Sequence, residues 1–136
     1  MKTFLLAKFQ LSKDYTLQVA HSMPAQHYDY RPSPHLFTFK EQMHHLAYSL
    51  LWMEENYLKQ NRVPWQVPPP VKADKPSIIA YLTTAFGTLI ATVTAVEDDE
   101  KLAEQCFAIL DHTTYHRAQG ILYMRELRLE VPAYMY

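Results

Sequence analysis

"KLAEQCFAILDHTTYHRAQGILYM", residues 101–124, carries Leu102, Cys106, Ile109, Thr113, His116, Gly120 and then Tyr123 or Met124 at alternating spacings of four and three. That is the period of one side of an α-helix, and it excludes the every-second-residue alternation of a strand. The acidic run "EDDE", Glu97 to Glu100, suits a loop followed by the negative first turn of this helix. Pro132 argues against continuation beyond about Glu130. A long helix with one apolar stripe needs other helices to bury that stripe, so the search moves outward along the chain.

Three more helical stretches can be marked. Ile78, Leu82, Phe86 (with Ala85), Leu89, Val93 and Val96 form a second three-four stripe, opening after Asp74 or Pro76. Further upstream, Thr38 followed by Glu41 makes the capping-box pattern T-x-x-E. From there Gln42, His45, Leu46, Ser49, Trp52 and Met53 share one helical face until about Gln60. The first stretch, about Thr3 to Met23, is apolar but untidy, with Ser12 to Asp14 a point of interruption. Prolines in "PAQHYDYRPSPH", residues 24–35, exclude a regular helix there. The connector "NRVPWQVPPPVKADKP", residues 61–76, is different in reach. About 15 residues at roughly 3.1 Å each span about 45 Å, enough to let the second and third helices run parallel. The expected fold is all-α, a four-helix bundle in one domain over residues 1–136, with this long Pro-rich crossover between helices 2 and 3.

Composition limits the function. Of 136 residues, 49% are hydrophobic, 20% are charged and only two are glycine, and the formal net charge is −1. No basic block exists to neutralise phosphates, so nucleic acid is not an expected partner. The single cysteine, Cys106, cannot form an internal disulfide, which fits a reducing, cytoplasmic setting. The start, "MKTFLLAKFQLSKDY", reads as an amphipathic helix rather than a signal peptide, and no window is expected to be apolar enough to span a membrane.

The residues that carry chemistry are histidines. His112 and His116 lie one turn apart on the last helix, close enough for two imidazoles to converge on one ion. His45 lies early on the second helix. If helices 2 and 4 run antiparallel, all three meet, and three neutral nitrogens leave a fourth position open, the catalytic rather than the structural arrangement. His44, turned by about 100° from His45, is assigned to the flank or surface. The alternative for the whole set is core histidines bonded to backbone or tyrosine.

The flanking words resemble a family. "TLQVAHSMPAQHYDYRPSPHLFTFKEQMHHLAYSLLW", residues 16–52, and "DHTTYHRAQGILYMRELRLEVPAYMY", residues 111–136, are similar to the two halves of the DinB/YfiT-like superfamily. Its second half reads roughly H-x-x-x-H-R-G-Q followed by Y-L-R. The resemblance implies a four-helix bundle, often a homodimer, with a divalent ion (zinc or nickel) held by His45, His112 and His116. Some relatives transfer or isomerise with a low-molecular-weight thiol. Two departures stand out: Ala118 replaces the Gly of the R-G-Q word, and the link between helices 3 and 4 is brief.

Such an ion with an open position could activate a small external thiol toward an electrophilic small-molecule substrate, or a water for hydrolysis. A third reading is a noncatalytic, metal-stabilised binding or stress-response module. No protein nucleophile is needed for thiol transfer, and Cys106 reads as a small core residue. The zincin word H-E-x-x-H is absent, Thr113, Thr114 and Tyr115 standing between the two histidines. Glu41, Gln42, Arg117 and Gln119 are the candidates for supporting the metal ligands, with Glu41 more simply explained by its cap. Arg117 and Arg125 could hold an anionic group or form salt bridges. Trp52, Tyr48, Tyr115, Tyr134 and Tyr136 are candidate pocket aromatics.

Overall fold

The structure, a computed structural model, describes residues 1–66 and 74–135. Four helices account for most of them: α1 (Lys2–Ser22), α2 (Phe39–Met53), α3 (Lys75–Ala95) and α4 (Glu100–Glu126). Each start after the first is capped by a side chain. Thr38 Oγ1 accepts from the Glu41 amide while the Glu41 carboxylate accepts from the Thr38 amide, so the capping box is closed in both directions. Asp74 caps α3 through the Ser77 amide, and Asp99 caps α4 through the Leu102 amide.

Two helix boundaries depart from expectation. α1 runs unbroken through Ser12 to Asp14. Ser12 is buried and its hydroxyl accepts from Arg117 of α4, so it serves packing instead of interrupting the helix. α2 gives way after Met53 to a π-helical turn, Glu54–Leu58, and Gln60 is left-handed at φ 58°. The widened turn holds the Glu54 carboxylate inside, where it accepts from the Thr88 and Thr92 hydroxyls of α3 and pairs with Lys59.

α1 and α2 each pack against both α3 and α4. Cross-links give the directions. Lys2 Nζ donates to the Thr94 and Val96 carbonyls, and Lys75 Nζ to those of His21 and Met23, so α1 and α3 are antiparallel. His44 meets Tyr81, and Glu54 meets Thr88 and Thr92, so α2 and α3 run parallel. Gln42 meets Tyr123 while His45 meets His112, which makes α2 and α4 antiparallel. The chain must therefore return between α2 and α3. Residues 61–66 do run back along α2: Trp52 Nε1 donates to the Val63 carbonyl, and the Tyr48 hydroxyl bonds both the amide and the carbonyl of Gln66. The prolines expected to complete the crossover, residues 68–70, lie outside the described residues.

The core draws on all four helices, with Phe9, Phe39, Met43, Leu46, Leu50, Leu82, Phe86, Leu89, Ile109 and Met124 fully or almost fully buried. Gly120 lets α4 approach α2: a Cβ there would lie 2.9 Å from Met43 Cε and 3.1 Å from Phe39 Cε2. The expectation that no window could span a membrane needs correction for α3, which is long and apolar enough by length and composition, with a mean hydropathy of 1.7. The score arises because its outer face, Thr83, Thr84, Gly87, Ala91 and Thr94, is small and uncharged. Its inner face, Ile78, Leu82, Ala85, Phe86, Leu89 and Val93, packs as a bundle stripe.

Candidate metal centre

The antiparallel pairing of α2 and α4 brings His45 against both His112 and His116. Ring centroids lie 4.3 Å apart for His45 and His116, 4.5 Å for His112 and His116, and 5.5 Å for His45 and His112. One nitrogen from each falls within 4.8 Å of the other two, and among the described residues no carboxylate or cysteine joins the group. Ligands of a tetrahedral ion with bonds of about 2.1 Å sit roughly 3.4 Å apart, a gap that small imidazole rotations close.

The environment keeps the three rings neutral. Burial, followed by the neighbouring imidazoles His45 and His112, pushes His116 down to about 4. Burial also lowers His45, assisted by His112 and His44, and lowers His112. A neutral imidazole is the form that offers a lone pair to a cation. A neighbour sets which nitrogen is free on His116, and another contacts His45. Gln42 Oε1 lies 2.9 Å from His116 Nδ1 and accepts its proton, leaving Nε2 with the lone pair, and Gln42 Nε2 donates to the Tyr123 hydroxyl. On His45, Nε2 lies 3.3 Å from Ser49 Oγ, while Nδ1 is buried and has no hydrogen-bond partner. A buried nitrogen left unmet is costly, and a cation is the partner its lone pair lacks. The donor set therefore fits a divalent metal ion.

The supporting candidates separate. Gln42 touches a triad imidazole as expected. Glu41 does not: its carboxylate is committed to the cap of α2. Arg117 does not either, because the residue after His116 turns to the other side of α4. There it bonds Ser12 and Thr16 of α1 and stacks on Tyr15 at 4.8 Å. Gln119 is half-buried and makes no hydrogen bond to the triad among the described residues. His44 flanks the site as assigned but is not at the surface: it is buried against α3, its ring 5.2 Å from that of Tyr81. Cys106 is fully buried, and burial pushes its thiol up to about 11, consistent with a core role.

Ser49 lies on the inner face of α2, and its position four residues after His45 is the spacing that lets it meet that ring. Two further aromatics carry no signal in the sequence. Phe37 and Trp65 lie 5.7 and 5.6 Å from His45, and the expected Tyr115 lies 5.0 Å from His116. All three are partly exposed and rim the triad. Tyr48 and Trp52 stand behind Trp65. Phe37 and Trp65 sit in non-helical segments, where periodicity gives no signal. Tyr136 lies outside the described residues.

Comparison with known proteins agrees with this architecture. The model of the DinB superfamily matches residues 8–125. A DinB-like protein of Bacillus subtilis, YjoA, known from its crystal structure, is similar with a TM-score of 0.74 at 15% identity. The alignment covers 96% of this chain and 97% of that one. No curated protein matches the chain.

Proposed function

Because the chain belongs to the DinB superfamily, we propose that His45, His112 and His116 hold a divalent metal ion, zinc or nickel. We further propose that the chain is an enzyme transferring a low-molecular-weight thiol to an electrophilic small molecule. The observation that carries the metal is the partnerless buried Nδ1 of His45 within a neutral imidazole cluster. A divalent ion in that position supplies Lewis acidity, lowering the pKa of a bound small thiol. The protein's own contribution is positional. Gln42 accepts from His116 Nδ1 and so holds that ring in one tautomer, and Ser49 contacts His45 Nε2 and steadies the orientation of that ring. Phe37, Trp65 and Tyr115 place exposed aromatic surface beside the triad, which would favour an electrophile with a nonpolar body.

Three protein nitrogens leave room for an external ligand, which favours this reading over a noncatalytic, metal-stabilised module. Hydrolysis has less support, since of the carboxylates close in sequence Glu41 is taken by its cap and Asp111, beside His112, is exposed and does not join the histidine group. A homodimer in the cytoplasm is part of the same proposal.

The decisive measurement is metal content of the parent beside His45→Ala and His112→Ala. About one ion per chain in the parent, lost in both variants, supports the site. A parent that takes up neither zinc nor nickel on titration overturns it. If the metal-loaded parent consumes no thiol in the presence of reactive electrophiles, the transfer reading falls while the metal site stands.

A further inference from the structure

Arg117 is 4% exposed, and no carboxylate among the described residues lies within salt-bridge distance of it. A guanidinium moved out of water without a counter-charge is costly, and burial accordingly lowers its pKa. What surrounds it is partial compensation. Nη1 donates to the Ser12 carbonyl and to the Ser12 and Thr16 hydroxyls, while Nη2 makes a 3.5 Å contact with Thr114 Oγ1. Nε makes no hydrogen bond among the described residues. The Nε–Nη2 edge is the one a carboxylate meets side-on with two parallel bonds.

Two clefts lined in part by Arg117 lie between α1, α4 and the tail that follows α4. The larger, about 300 Å³, is lined by Arg117 and Arg125 together with Tyr15, Ile121, Leu122 and Pro132. The smaller, about 150 Å³, adds Lys8. Neither lining contains an acid, so three cations face these clefts with no described counter-charge. Elsewhere on the chain, clefts are lined by acids such as Glu130, or Glu97 and Asp99.

We propose that this groove binds a small organic carboxylate, its oxygens on the Arg117 fork and its apolar body against Ile121, Leu122 and Pro132. The site is separate from the histidine cluster. His116 and Arg117 are consecutive on α4 and face different neighbours, α2 and α1.

The test is titration of the full chain with benzoate, followed by amide shifts in two-dimensional NMR, beside benzamide as the uncharged control and inorganic phosphate as the rival anion. Saturable benzoate binding is expected, with shifts centred on α1, the second half of α4 and the tail, and at least tenfold weaker binding of benzamide and phosphate. Arg117→Gln should abolish it. Ala118→Trp, at an exposed position lining the larger cleft, should weaken it at least tenfold without touching the core, which guards against misreading an unfolded Arg117 variant. Binding should survive His112→Ala, since a benzoate held by a metal ion would not. Equal binding of benzoate and benzamide, tighter binding of phosphate, loss in His112→Ala, or unchanged binding in Ala118→Trp would each overturn the assignment.

Discussion

Gln42→Leu separates a metal centre from a group of core histidines. The Gln42 amide, 6% exposed, joins His116 Nδ1 at 2.9 Å to the Tyr123 hydroxyl at 3.2 Å across the α2–α4 interface. Leucine fills similar space and removes both hydrogen bonds. At about 0.5–1.5 kcal/mol net each, the metal-free protein should lose about 1–3 kcal/mol of unfolding free energy. If His116 ligates through Nε2, loss of the acceptor at Nδ1 also frees the ring to turn and to change tautomer. An orienting partner of this kind is worth about 10–100-fold in metal affinity, or about 1.4–2.7 kcal/mol. Zinc affinity would be measured by competition with a chromophoric chelator, and stability by urea unfolding in excess chelator. Gln42→Glu, which keeps an acceptor at the same place, should retain the affinity that Leu loses. A folded Gln42→Leu protein that binds zinc as tightly as the parent would refute the assignment of His116 as a ligand oriented by Gln42.

Other outcomes follow from single features. In the metal-free protein, His116 has a folded value of about 4 against 6.5 when unfolded, so the unfolded chain binds its proton first. The stability this residue contributes is complete above pH 6.5 and is lost as pH falls toward 4, by up to about 3 kcal/mol. His45 and His112 are shifted the same way and add to the loss, which urea midpoints across that range would show. Glu54→Ala removes charge-assisted bonds from Thr88 and Thr92, and thermal or urea unfolding should register a loss of about 1.5–3 kcal/mol for each bond. Gly120→Ala gains about 1 kcal/mol of helix propensity but drives a methyl to 2.9 Å from Met43 and 3.1 Å from Phe39. Met43 can swing its terminal methyl aside, but the Phe39 ring is fully buried, so overpacking against it at about 1–3 kcal/mol should at least cancel that gain and the melting temperature should not rise. A stabilised Gly120→Ala would show that the Phe39 ring yields to the added methyl.

How much of this could be read from residues alone depends on what periodicity measures. The stripe from Leu102 to Met124 tells which side of α4 is inside, and that was enough for the helices, the capping box at Thr38 and the convergence of His112 with His116. His45 joined them because an antiparallel α2–α4 pair is a discrete alternative, not a fine geometric detail. A stripe assumes burial on one side, however, and α4 is covered on two. α2 takes the face bearing His112 and His116, and α1 takes the face bearing Arg117. Arg117 therefore read as a salt-bridging or metal-supporting residue, whereas its surroundings are the hydroxyls of Ser12 and Thr16 and the ring of Tyr15. Those three stand at i, i+4 and i+3 on α1, and Ser12 falls in the stretch, Ser12 to Asp14, that reads in the sequence as an interruption of a poor amphipathic helix. The untidiness of α1 and the apparent misplacement of an arginine on α4 are the same fact seen from two helices. A polar seam runs through this side of the bundle, and each of its halves violates the apolar pattern until the other is placed against it.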